Sequence, residues 1–123
     1  MPTQPYHSLL VYQKADQFLM DVYYISTIFP KEEIYGVTSQ LRRAALSVVL
    51  NIVEGHARGS QKEFVRFLYI SRASLSECAY LLEFCLKIKY ITEDQYQKIE
   101  YNRNNVSYFL QQTINGILNP KKQ

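Results

Sequence analysis

The stretch LSVVLNIVEGHARGSQKEF, from Leu46 to Phe64, contains the side chains best able to perform chemistry. Asn51 and Glu54 interrupt its apolar first half, and His56 and Arg58 follow shortly after. An amide, a carboxylate, an imidazole and a guanidinium this close together are compatible with an active site. Glu54 and Arg58 also stand four residues apart, which is the spacing of an ordinary ion pair on a helix. The surrounding pattern must therefore decide between catalysis and packing.

That pattern favours packing. Gly55 falls in line with an apolar helical stripe, where it costs about 1 kcal/mol relative to alanine, so the close approach of a neighbouring helix best explains it. Asn51 borders the same stripe, and a buried asparagine in a helical bundle is best known for fixing register. We therefore predict structural roles for Asn51 and Glu54.

Other catalytic signatures are missing from the sequence. The chain has only two histidines, His7 and His56, with no second ligand at metal spacing. It contains no phosphate-cradling glycine loop and no serine in a nucleophile elbow. It also lacks an arginine followed four to six residues later by histidine, the pattern of some all-helical ribonucleases. We expect no catalytic residues, no metal and no cofactor, hence a protein that is not an enzyme.

The two cysteines indicate a reducing compartment. Cys78 and Cys85 stand seven positions apart on one predicted helix, which separates them by roughly 10 Å, beyond the reach of a disulfide. We expect both to be small core residues. No apolar run could span a bilayer, and residues 1–13 lack the features of a signal peptide, so a cytoplasmic protein without a membrane partner is expected.

The elements that must position these residues are four amphipathic helices. Within 123 residues, of which 47% are hydrophobic, apolar side chains recur at alternating spacings of four and three, as in helices packed at a shallow angle. The predicted helices cover residues 9–28, 37–58, 61–89 and 93–118, followed by a loose tail at 119–123. Short links make neighbouring helices antiparallel, which predicts one all-α domain, residues 1–123, folded as an up-and-down antiparallel four-helix bundle.

Local signals mark the ends of the helices. Pro30 ends the first helix, and a helical turn is expected near residues 31–33. Gly59 is suited to end the second helix. Ser60 with Glu63, and Thr92 with Gln95, have the spacing of capping boxes at the starts of the third and fourth helices.

The second helix is more apolar than an exposed bundle helix needs to be. Besides its core stripe, Leu46, Val49, Leu50 and Val53 extend onto its flanks and back. Apolar excess of this kind is typical of an interface, so we predict self-association through these four residues. The alternative is that the second helix is the most enclosed helix of the monomer.

The basic residues suggest an acidic partner. The net charge is +3, and Arg58, Lys62 and Arg66 cluster around the turn between the second and third helices. Arg42, Arg43 and Arg72 stand on the adjoining helices, with Arg42 and Arg43 as the fallback surface. One hypothesis is a nucleic-acid-binding oligomer, RNA or DNA, in which repeated copies multiply a weak contact. The alternative hypothesis is a protein scaffold that recruits another protein and binds no nucleic acid.

Three segments also carry a resemblance to a known family: VYQKA, IFPKEEIYGVTSQLRRAALSVVLNIVEG and GSQKEFVRFLYISRASLSE. The chain resembles, over residues 9–118, the four-helix bundle proteins encoded by intervening sequences in bacterial 23S ribosomal RNA genes. The resemblance implies a homopentamer around a central channel. It also implies kinship in fold with the accessory protein of diversity-generating retroelements, a pentamer that associates with nucleic acid and a reverse transcriptase.

The chain departs from this family in two places. Where family members commonly carry a small residue, then glycine and serine, this chain has the run Ser71-Arg72-Ala73-Ser74. Family members also often have a proline near Val49. The missing glycine is expected to alter local helix packing, and Arg72 adds a charge.

Overall fold

The structure is a computed structural model that describes residues 3–122. It contains four helices: α1 (Leu10–Ser26), α2 (Val37–Ala57), α3 (Gln61–Lys87) and α4 (Glu93–Leu118). Short 3-10 helices cover Pro5–Ser8, Lys31–Glu33 and Pro120–Lys122, and no strand occurs in the described residues. The predicted all-α four-helix fold is confirmed.

The helices form a closed square. Each helix packs against the next one in the chain, and α4 closes the square by packing against α1. Hydrogen bonds link the helices: Ser47 to Ser74 at 2.9 Å, Arg72 to Gln111 at 2.8 Å, and Asn102 to Asp21 at 2.7 Å. Because only short segments join consecutive helices, each helix must reverse direction to pack against the one before it. Neighbouring helices are therefore antiparallel, as an up-and-down bundle requires.

The core is filled by side chains from all four helices. Its largest fully buried members are Phe18, Leu41, Ile52, Leu68, Leu75, Leu82, Leu110 and Ile114. Cys78 and Cys85 are also buried, and both are free thiols, as predicted. Burial raises the pKa of Cys78 to about 12 and that of Cys85 to about 11, so both thiols stay protonated near neutral pH.

Three helices end earlier than the sequence predicts. Helix α2 stops at Ala57 rather than at residue 58. Helix α1 stops at Ser26 rather than at residue 28, and the hydroxyl of Thr27 donates to the carbonyl of Tyr24 at 2.7 Å. Helix α3 stops at Lys87 rather than at residue 89, because Lys89 takes a left-handed φ of 66°. The tail was expected to be loose, whereas Pro120–Lys122 form a 3-10 helix; Gln123 lies outside the described residues.

The predicted caps form to different extents. Both halves of the Thr92 and Gln95 box are present. Ser60 accepts from the amide of Glu63 at 3.2 Å, but the Glu63 carboxylate bonds to Arg66 instead of reaching back to Ser60. Gly59 has the left-handed φ of 73° that ends α2.

A carboxylate clamps two of the connecting segments. Glu33 accepts from the amide of Val37 at 3.3 Å, at the first residue of α2, and from the hydroxyl of Tyr90 at 2.7 Å. A side chain on Gly36 would meet the same carboxylate, which would then have to shift. Glu33 therefore joins the start of α2 to the link between α3 and α4.

Helices α2 and α3 make the closest contact in the bundle. A methyl group on Gly55 would lie 2.6 Å from the Cβ of Phe67, so the predicted close approach is confirmed. The buried hydroxyl of Ser71 donates to the carbonyl of Val48 at 2.6 Å, and the hydroxyls of Ser47 and Ser74 meet at 2.9 Å. Small side chains thus let the two backbones approach each other.

Replacing Gly55 with alanine tests this contact. Overpacking against Phe67 costs about 1–3 kcal/mol, whereas alanine gains about 1 kcal/mol of helix propensity. We expect net destabilisation by up to about 2 kcal/mol in urea unfolding. Ala73→Gly, on the exposed face of α3, measures the propensity difference alone. A more stable Gly55→Ala variant would show that the helices can separate at no cost.

The Glu33 clamp predicts a pH effect. The hydrogen bond to Glu33, together with burial, raises the pKa of Tyr90 to about 12, above the ordinary value of 10.0. The native state therefore keeps this proton longer than the unfolded chain does, and the resulting stability is complete below pH 10 and lost as the pH rises towards 12. Tyr90→Phe should flatten the plot of the free energy of unfolding against pH between pH 10 and 12. An unchanged slope between pH 10 and 12 would contradict the clamp.

Candidate functional site

The basic cluster at the turn between α2 and α3 is built around one aromatic ring. Arg58 follows the last residue of α2, and Lys62 and Arg66 lie in the first two turns of α3. The guanidinium groups of Arg58 and Arg66 lie 5.0 and 4.6 Å from the ring centre of Phe67. The structure therefore brings Arg58 and Arg66 together over Phe67.

Both of these arginines are paired with carboxylates. Arg58 bonds to Glu54 at 3.0 Å, the pair predicted from their spacing. Arg66 makes two bonds of 3.1 Å to Glu63, and this pairing lowers the pKa of the Glu63 carboxyl. Ion pairs as exposed as these add little to stability. They do offset charge, since three cations and two carboxylates leave the turn with one excess positive charge.

The other predicted basic residues lie on different surfaces. Half-buried Arg42 donates from Nε to the hydroxyl of Ser26 at 2.8 Å and stacks 4.7 Å from the ring centre of Tyr23, where α1 meets α2. Arg43 is exposed on α2, and Arg72 is exposed where α3 meets α4. The six residues proposed from the sequence for nucleic-acid binding therefore do not form one surface.

Charge is nevertheless unequal between the two halves of the bundle. We call the half with the α2–α3 turn the basic end, comprising residues 3–17, 48–73 and 106–121. Its six cations are Lys14, Arg58, Lys62, Arg66, Arg72 and Lys121, against the acids Asp16, Glu54 and Glu63. The opposite half, residues 18–47 and 74–105, has seven cations and eight acids. The excess positive charge therefore resides at the basic end.

The predicted interface residues differ in exposure. Leu46 and Leu50 are 38% and 53% exposed, one turn apart on the outer side of α2. Val49 is only 6% exposed and belongs to the core, and Val53 packs partly against that core. Helices α1 and α3 flank α2, so Val49 has almost no surface left to offer a partner. Its assignment to the interface is therefore corrected, and the exposed apolar strip consists of Leu46 and Leu50.

Asn51 and Glu54 both take part in local contacts. Asn51 is half-buried rather than buried, and its amide donates to the carbonyl and hydroxyl of Ser47 at 2.8 and 3.1 Å. These bonds stay within α2 and reach α3 only through the contact between Ser47 and Ser74. Glu54 is exposed and holds Arg58. Both residues therefore make contacts within α2 and at its C-terminal end.

Pattern reasoning missed the polar contacts between distant elements. An open cleft of about 340 Å³ between α1 and α4 has Ile25, Ile28 and Ile99 among its lining residues, and the bond from Asn102 to Asp21 lies at its edge. The Glu33 clamp was also missed.

Within residues 3–122, no three His, Cys, Asp or Glu side chains lie close enough together to hold a metal. In the same range, no helix has the length and apolarity needed to cross a membrane.

The family of this chain is shown by its match to a family model. The family model described as 23S rRNA-intervening sequence protein matches residues 7–112. The chain belongs to this family. It is also similar to the crystal structure of a protein of unknown function from the S23 ribosomal protein family of Bacteroides thetaiotaomicron VPI-5482. That likeness has a TM-score of 0.79 at 24% identity and covers 85% of this chain and 98% of the other, which supports the fold alone. No curated protein matches the chain.

The arginine pair over Phe67 predicts a difference between arginine and lysine in this 23S rRNA-intervening sequence protein. Lysine keeps the charge but lacks the flat guanidinium that covers the ring. The double variant Arg58→Lys/Arg66→Lys should therefore have a lower urea midpoint than wild type. Lys62→Arg is the control for surface charge and should leave the midpoint unchanged. Equal midpoints for all three proteins would show that the arginines do not hold the turn together.

Proposed function

We propose that this protein is a non-enzymatic, self-associating bundle that binds nucleic acid through its basic end. The observation that carries the proposal is the unequal charge of the two halves. Phosphates are attracted by unbalanced cations, and the basic end offers six cations against three acids. The polar residues of α2 that could have formed an active site are instead engaged in local hydrogen bonds and ion pairs.

The cations best placed to bind phosphate are those without a carboxylate partner. Of the six cations at the basic end, Lys14, Lys62, Arg72 and Lys121 make no ion pair within residues 3–122, whereas Arg58 and Arg66 do. This moves the proposed contact from the Arg58, Lys62 and Arg66 cluster to a broader surface that shares only Lys62. Contacts to phosphate carry no sequence information, so binding should depend weakly on sequence and strongly on salt.

Self-association would multiply this contact. The exposed Leu46 and Leu50 give α2 an apolar strip that suits a second copy. The family resemblance implies a pentamer, in which five basic ends would act together and raise the avidity. A protein scaffold that binds no nucleic acid is the second candidate, because the same strip could receive a different protein.

Aspartate at Leu50 tests self-association. Leu50→Asp should reduce the oligomer, expected at five times the 14.5 kDa of one chain, without loss of helicity, because the side chain is already half exposed. Val49→Asp should unfold the monomer, because it buries an unpaired charge. Met20→Asp, at an apolar position of α1 that is 47% exposed, is the matched control. Light scattering that finds a wild-type monomer at micromolar concentration would reject self-association.

Two triple variants of equal charge test the basic end. Lys14→Gln/Lys62→Gln/Arg72→Gln should weaken binding to RNA or DNA and flatten the plot of log K against log salt by up to about three units. Lys31→Gln/Arg43→Gln/Lys89→Gln removes the same charge from the opposite half and should change little. A larger loss in the second variant would transfer the site to the surface of Arg42 and Arg43. If wild type binds no nucleic acid at low salt, the scaffold function stands instead.

A further inference from the structure

The surface where α3 meets α4 at the basic end differs in chemistry from the turn beside it. Arg72 donates to the side-chain oxygen of Gln111 at 2.8 Å, and Gln111 donates to that of Asn115 at 3.0 Å. The guanidinium of Arg72 also lies 4.7 Å from the ring centre of Tyr69. We call Tyr69, Arg72, Tyr108, Gln111, Gln112 and Asn115 the tyrosine–amide face.

The aromatic rings of this face are open to solvent. Tyr108 is 56% exposed and Tyr69 is 39% exposed. The ring of Tyr108 is supported, because its centre lies 5.2 Å from that of Phe109 in an edge-to-face arrangement, and Phe109 packs partly against the core. A supported but exposed ring loses little conformational entropy when a flat ligand stacks on it.

Neither helix supplies a carboxylate to this face. Residues 64–76 of α3 and residues 101–118 of α4 contain no aspartate or glutamate. Arg72 is therefore held by an amide and an aromatic ring, whereas Arg58 and Arg66 are each held by a carboxylate. An arginine held in this way keeps its full charge for an anionic ligand.

The side chains of the tyrosine–amide face favour a nucleic acid over a protein as the partner. The aliphatic strip of Leu46 and Leu50 lies on α2, away from this face. What α3 and α4 present here is tyrosine rings, amides that both donate and accept hydrogen bonds, and one unbalanced arginine. These are the groups that stack on bases, bond to base edges and contact phosphate.

We propose that the tyrosine–amide face binds the unpaired bases of single-stranded nucleic acid, with bases stacked on Tyr69 and Tyr108 and a phosphate on Arg72. The amides of Gln112 and Asn115 bond to exposed base edges. Duplexes lack this contact because their bases are stacked on one another. The inference rests on the proposed function, in which nucleic acid binds at the basic end, and it adds that this nucleic acid is single-stranded.

Fluorescence anisotropy with a labelled 15-mer of oligo(U) and with a 15-base-pair duplex RNA tests the proposal. Tyr108→Ala should weaken binding of the single strand by roughly 5- to 100-fold, the range for loss of one stacked base, and leave duplex binding unchanged. Tyr108→Phe should restore binding, because the ring is retained. Tyr24→Ala, at a position on α1 that is 70% exposed in the opposite half, is the matched control and should bind as wild type does.

The outcomes separate the two proposals. Salt-dependent binding that Tyr108→Ala and Tyr69→Ala leave unchanged for both ligands would overturn the tyrosine–amide face and leave the proposed function intact. Wild type that binds neither ligand would overturn both. A Tyr108→Ala variant that loses oligomer mass while binding the single strand normally would show that the face is a protein contact, and would also overturn the inference.

Discussion

Helices α2 and α3 meet at Gly55, and this close approach decides how the other residues of both helices are used. Because Gly55 has no side chain, the Cβ of Phe67 can lie against the α2 backbone. At the same interface, the hydroxyl of Ser71 reaches the carbonyl of Val48. A bulkier residue at Gly55 would push the helices apart and open the contacts that depend on their spacing.

The position of Phe67 in turn explains why Arg58 and Arg66 pack at the α2–α3 turn. Its ring lies at the edge of the α2–α3 contact, and Arg58 and Arg66 cover it with their guanidinium groups. Glu54 and Glu63 hold these arginines and offset their charge. The two arginines of the basic cluster therefore serve the fold, while Lys62 and Arg72 have no carboxylate partner. Nucleic-acid binding by this 23S rRNA-intervening sequence protein is thus proposed for the cations that no carboxylate offsets.

The sequence predicted what depends on local patterns. Heptad spacing identified four helices, the glycine in an apolar stripe identified the close approach, and the spacing of Glu54 and Arg58 identified their ion pair. Contacts between distant residues were missed, since nothing local marks Tyr90 as the partner of Glu33, which is 57 positions away. Val49 was misassigned because a helix flanked by two neighbours buries a wider face than one stripe. Glu63 had the spacing of a cap, but Arg66 competes for its carboxylate.

Hydrogen–deuterium exchange with and without a single-stranded oligonucleotide tests the central claim most directly, because it locates binding without any substitution. We expect amides in residues 61–76 and 106–118, on α3 and α4 at the basic end, to exchange more slowly in the complex. Residues 18–47, in the opposite half, should be unaffected. Protection confined to residues 18–47, or no protection anywhere in an oligomer saturated with ligand, would contradict the account.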